Sequence, residues 1–162
     1  MADSLEFCLH IFSWSPLQEE FGWWGYALPR LQARYSALVS SVVLGVIWAI
    51  WHLPLNLMYL TDPQYQVGIA WLSSTVILFV SILFTWIYNN TGGSILATLI
   101  FHTMLNLSTY VAFPVFETET GPAFFFSIIV VATIILAIFG AKRMVRDKSR
   151  VNTENKIGDN FE

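Results

Sequence analysis

The sequence predicts an all-α polytopic membrane protein with about four transmembrane helices. Three observations carry that prediction. Of the 162 residues, 56% are hydrophobic and 12% are charged, against about 25% charged in a soluble domain. Mean hydropathy is +0.59. Between Arg34 and Glu117 the only charged residue is Asp62, and turn residues divide that stretch into lengths that fit single spans.

The elements follow in order. Residues 1–15 read as an N-terminal stub. Asp3 and Glu6 stand where a signal peptide would carry positive charge, and the apolar run after Glu6 is shorter than the roughly 20 residues a span needs. His10 receives no role. Cys8 reads as a small apolar filler; a lone cysteine excludes an intrachain disulfide framework and a cysteine-rich zinc site. Spans are expected at residues 36–57, 67–88, 94–113 and 122–141. Asp62-Pro63 separates the first two, and Asn89-Asn90-Thr91-Gly92-Gly93 the second and third. Pro114 through Gly121-Pro122 separates the third and fourth. The short connection at Asn89 makes the second and third spans antiparallel neighbours. Residues 16–141 are thus one membrane domain, followed by a polar tail at 142–162.

Basic residues set the orientation. Arg30 and Arg34 precede the first span; Lys142, Arg143, Arg146, Lys148, Arg150 and Lys156 follow the fourth. The outer loops carry Asp62, Glu117 and Glu119 instead. An even number of spans puts both basic ends on one side, and the positive-inside rule makes that side cytoplasmic. The tail is therefore expected in the cytoplasm, briefly extending the last helix and then disordered. No basic stripe runs through the body of the chain, so a nucleic-acid partner has no support. Seven Trp and thirteen Phe suit contact with the lipid bilayer.

Three polar clusters interrupt this apolar background. Glu19 and Glu20 are adjacent carboxylates; such a pair resists double ionisation, which lets one act as a base near neutral pH. Structural acids outnumber catalytic ones, so the pair alone more often marks a solvated membrane surface. His52 lies in Trp-His-Leu-Pro near the end of the first span, one turn after Trp48 and one turn before Asn56. A histidine there either faces the bundle interior or sits hydrogen-bonded at the interface. His102 and Asn106 are spaced i, i+4 and share a helix face. They can present an imidazole and an amide to one substrate atom, or bond between helices. Carboxylates, histidines and an amide together are a sufficient set for hydrolysing a peptide bond. Ser73, Ser74, Ser81 and Ser108 read as packing residues, since none has a base in a distinctive setting. Gly92-Gly93 is a turn, not a phosphate loop.

These motifs resemble the CPBP group of intramembrane proteases, relatives of the CAAX prenyl endopeptidase that include bacteriocin-processing and abortive-infection proteins. The resemblance runs from Pro16-Leu-Gln-Glu19-Glu20 through Gly22-Trp-Trp-Gly to Pro29-Arg30. It continues through Trp48-Ala-Ile-Trp-His52-Leu-Pro and ends at His102-Thr-Met-Leu-Asn106. It implies the catalytic half of that helical bundle and a glutamate- or metallo-type endopeptidase acting on a membrane-anchored peptide or protein. Glu19 would activate water, Glu20 would support it and His52 would hold the water. His102 and Asn106 would stabilise the oxyanion or ligate. Glu20, His52 and His102 are the expected set for Zn2+, and a metal-free mechanism uses the same residues.

Two departures stand out. Trp24 replaces an arginine one turn after Glu20, removing a counter-charge, and Trp48 replaces a phenylalanine. The family's earlier spans are also expected to be missing. These departures motivate a different reading: a catalytically inactive relative acting as a membrane immunity or partner-binding protein. One geometric tension accompanies both readings. His52 should lie roughly 24 Å along its helix and His102 roughly 12 Å along its own, counted from the same side.

Overall fold

The computed structural model describes residues 15–61, 67–112 and 119–145. These residues are helices and turns, with no strand among them. The first is α1 (Ser15–Gly22). It runs without a break through a π-helical turn (Trp23–Ala27) into α2 (Leu28–Gln32). Then come α3 (Ala37–Thr61), α4 (Val67–Asn90), α5 (Ile95–Leu107), a π-helical turn (Ser108–Ala112) and α6 (Gly121–Phe139).

Among the described residues, four helical segments are long and apolar enough to cross a membrane: Ala37–Pro54, Leu72–Asn90, Ile95–Ala112 and Gly121–Phe139. They coincide with the four spans the sequence predicts. Pro54 does not end α3, which continues to Thr61; neighbouring helices can supply partners for the backbone groups a proline frees. The Asp62-Pro63 break lies outside the described residues, as do Cys8, His10 and most of the loop before α6.

α3 and α4 make the tightest contact. A Cβ on Gly45 would stand 2.6 Å from Ser81 Oγ and 3.0 Å from the Leu78 Cα. Only glycine fits that approach. Ser81 Oγ is placed to donate to the Ser41 carbonyl at 2.8 Å, and Ser40 and Ser41 are buried beside it. Small residues let membrane helices pack this closely. α6 covers α4 with Phe125, Ile128 and Ala132. Between α4 and α5, Gly92 and Gly93 adopt positive φ. Ser94 then caps α5 by accepting from the Ala97 amide at 3.2 Å.

Two findings differ from the expectations. Residues 15–32 form a further helix packed along the bundle, where only a motif-bearing approach to the first span was expected. The segment after α6 does not extend it. Gly140, at φ 72, ends the helix, and the chain turns back. The Lys142 and Ala141 carbonyls accept from the Ala37 and Leu38 amides at 2.9 and 3.0 Å. They thereby satisfy the first donors of α3, which a helix start leaves without partners. Asn89 and Asn90 donate to the Arg143 and Met144 carbonyls at 2.9 and 2.7 Å, and Met144 is fully buried. The start of α3, the end of α4 and the end of α6 therefore share one end of the bundle. Arg34, Lys142 and Arg143 all lie there.

Candidate active site

Glu19 and Glu20 are neighbours on α1, so their side chains point about 100° apart around the helix axis. That angle sends them to different partners. Glu19 faces α3, where the Trp48 indole Nε1–H donates to its Oε2 at 2.6 Å. Glu20 faces α5, where its Oε1 lies 2.7 Å from His102 Nδ1. Glu19 is 6% exposed and Glu20 is fully buried. Burial pushes the Glu20 carboxyl above its ordinary value of 4.5, the hydrogen bond and charge of His102 oppose that rise, and Glu19 adds to it.

The histidine rings are fixed by their Nδ1 atoms. His52 Nδ1 lies 3.0 Å from the Trp48 carbonyl one turn back. A carbonyl can only accept, so Nδ1 carries a proton, and in the neutral ring that leaves the lone pair on Nε2. For His102 the net-neutral form of its pair with Glu20 holds one proton between Oε1 and Nδ1 and a second on Nε2. A buried site favours such a neutral arrangement over separated charge. Trp48 joins the two histidines: its ring centroid is 5.4 Å from that of His52 and 5.7 Å from that of His102. The two histidine rings thus flank one indole, and the axial offset expected from the helix starts does not keep them from lining one cavity.

His52, His102, Trp48 and Asn106 line one cavity of about 110 Å³. Its far wall is apolar, built by Val76, Ile77 and Val80 of α4 and by Phe124, Phe125 and Ile128 of α6. Glu19 and Glu20 are not on the wall; each reaches it through its partner. Asn56, one turn beyond His52, also lines the cavity and donates to Ser74 Oγ at 2.6 Å. Ser73 lines it too. Both had read as packing serines, and no sequence spacing distinguished them from Ser81, which does pack. The indole N–H of Trp48 was equally missed as a polar group; the signal available was an indole one turn before His52.

Trp24 is fully buried. Its ring stacks on Phe84 at 4.3 Å and meets Trp48 edge-on at 5.4 Å. Its Nε1 has no hydrogen-bond partner among the described residues. Neither nearby arginine replaces the missing charge. Arg30 donates to the Tyr26 carbonyl at 2.9 Å and lies over the Tyr26 ring, while Arg34 lines a cleft at the end of the bundle.

Glu20, His52 and His102, the residues expected for zinc, are each turned to a protein partner. Glu20 Oε1 and His102 Nδ1 satisfy one another, and His52 Nδ1 is turned to its own helix. Among the described residues no three His, Cys, Asp or Glu side chains are grouped to hold a metal ion.

The comparisons agree with the motifs. The family model for type II CAAX prenyl endopeptidases, Rce1-like, matches residues 2–108. The chain belongs to that family. A curated relative, CAAX prenyl protease 2 of Methanococcus maripaludis, is 35% identical over 128 residues. That match covers 73% of this chain and 45% of the relative, so the chain spans about half the relative's length. No solved structure matched. A Rce1-like chain with four apolar helices is an integral membrane protein.

Proposed function

We propose that the chain is a CAAX-type intramembrane endopeptidase that hydrolyses a peptide bond of a membrane-anchored substrate with activated water. The supporting observation is the arrangement of two adjacent carboxylates on two arms that end at one cavity. On one arm, His52 Nε2 holds the attacking water and Glu19, reached past the Trp48 indole, takes its proton and returns it to the leaving amine, as general base and then general acid. On the other, Glu20 holds His102 so that its Nε2–H, beside the Asn106 amide, donates to the oxyanion of the tetrahedral intermediate. The aromatic wall keeps bulk water away and strengthens each of these interactions.

Purified chain in lipid vesicles should cleave a prenylated peptide ending in a CAAX sequence, and Glu19→Gln should lower the rate on the order of 10³-fold. Full activity in that variant would remove Glu19 from the mechanism. Chelation by 1,10-phenanthroline should change the rate by less than about twofold, since the protein groups alone supply the acid–base chemistry; complete loss restored by Zn2+ would sink the metal-free route. The C-terminal tail is assigned to the cytoplasm. A reporter fused after Ile157 should read cytoplasmic, and one inserted at residues 62–66 should read external.

Burial of Trp24 in place of a cation favours a second reading, an inactive relative that binds a membrane partner. Absence of cleavage by both wild type and Trp24→Arg, with a partner still co-purifying, would select it.

A further inference from the structure

The basic end of the bundle contains a second cleft, far from the histidines along the helices. It measures about 560 Å³ and is lined by Arg34, Tyr35, Tyr88, Asn89, Lys142 and Arg143, among others. Three of its lining residues are cations and none is acidic. Among the described residues, none of the three cations forms an ion pair. Like charges gathered in one cleft repel one another, so the arrangement favours an anion between them.

The cleft is also a built feature rather than a chance gathering of surface side chains. Lys142 and Arg143 sit on the turn that caps α3 and is clamped by Asn89 and Asn90. Gln32 donates to Asn89 Oδ1 at 3.1 Å and ties the end of α2 to the same point. Met144 takes a left-handed φ of 52° to fit its fully buried side chain beneath the turn. A non-glycine residue adopts that conformation only where its surroundings impose it. The sequence thus spends strain to hold two cations opposite Arg34.

We propose that this cleft binds the headgroup phosphate of an anionic phospholipid. Two observations choose a lipid over other anions. The cleft lies where three membrane helices end, at headgroup level for spans of this length. Beside it, α3 shows an exposed apolar stripe of Val39, Val42 and Val46, spaced for one helix face and suited to acyl chains. Basic pockets between helix ends on the cytoplasmic side have this chemistry. The site is independent of the cavity at His52 and His102, and its test does not require peptidase activity.

The test is lipid retention by the full chain, measured by native mass spectrometry after exchange into detergent containing phosphatidylglycerol or phosphatidylcholine. One phosphatidylglycerol per chain should bind saturably, and phosphatidylcholine should not compete. Each cation near an anionic surface contributes roughly fivefold, so the triple variant Arg34→Gln, Lys142→Gln, Arg143→Gln should bind on the order of a hundredfold more weakly. Lys142→Arg should bind like wild type. Arg30→Gln, outside the cleft, should keep the one-to-one stoichiometry. Circular dichroism of the triple variant must show wild-type helicity; if it does not, the single variants carry the test. Equal binding by triple variant and wild type would overturn the site. Full displacement by millimolar inorganic phosphate would overturn the lipid source. Absence of bound phosphatidylglycerol on wild type would overturn the proposal altogether.

Discussion

Glu19 and Glu20 are adjacent in sequence, on the same short helix, and yet live in different surroundings. Glu20 is fully buried and meets an ionisable partner, His102, at 2.7 Å. Glu19 keeps slight exposure and meets a neutral donor, the Trp48 indole, at 2.6 Å. A neutral donor orients a carboxylate without taking its charge, which suits a group that must receive a proton. An imidazole can share a proton with its carboxylate, which suits a group that must present a donor. The difference teaches that one turn of helix can divide an acid pair between base and positioning duties. The division comes from which neighbouring helix each side chain reaches, not from the residue type.

That comparison breaks most visibly in the two glutamine variants. Glu19→Gln removes the base and should lower kcat on the order of 10³-fold. Glu20→Gln leaves the base and weakens an oxyanion donor, so its loss should be smaller, on the order of 10²-fold. Single-turnover rates on the prenylated peptide separate the two. A larger loss for Glu20→Gln would reverse the assignment of the arms.

The next effect concerns coupling within an arm. Glu20→Gln and His102→Ala act on one donor, so the double variant should lose little more than His102→Ala alone, roughly 10²-fold in all. Combined with Glu19→Gln, either should instead multiply. Additive losses between Glu20 and His102 would show that their hydrogen bond is structural. A smaller effect belongs to Trp48→Phe, which deletes the indole N–H and keeps an aromatic ring. Misplacement of Glu19 should cost about tenfold in kcat with KM little changed. A change confined to KM would assign Trp48 to the substrate wall alone.

Much of this was legible in the chain. The four spans follow from the near absence of charge between Arg34 and Glu117, and the shared face of His102 and Asn106 from their spacing. The helix over residues 15–32 was not legible as a packed element. Its two glutamates, Arg30 and Pro29 suppress every hydropathy signal, and burial became affordable only because Trp48 and His102 wait for those carboxylates. The π-helical turn at Trp23–Ala27 has no sequence mark beyond Gly22 and Gly25. A Cβ on Gly25 would stand 2.8 Å from the tip of the Ile95 side chain, a close approach set by another helix. The turn back after Gly140 was likewise hidden. Its partners, Ala37, Asn89 and Asn90, lie far away in sequence, and nothing local in Ala141–Met144 announces them.

The smallest expected effect tests the buried character of the Glu20 arm directly. Burial raises the Glu20 carboxyl above its ordinary value of 4.5. Between that value and the raised one, the folded protein binds more protons at this position than the unfolded chain does. Stability therefore falls as pH rises through the window, by at most about 1.4 kcal/mol per pH unit for one proton. Glu20→Gln cannot titrate and lacks this slope. The Tm of wild type minus that of Glu20→Gln should thus shrink as pH is raised from 4.5 towards 7, by a few degrees in all. Taking the difference at each pH cancels the titration of groups common to both proteins. Trp24→Arg should flatten the wild-type slope from the other direction, because a cation one turn away favours the ionised carboxylate and lowers its pKa. A gap that stays constant or widens with pH would show that burial does not raise the Glu20 carboxyl, and that its arm is set by its partner alone.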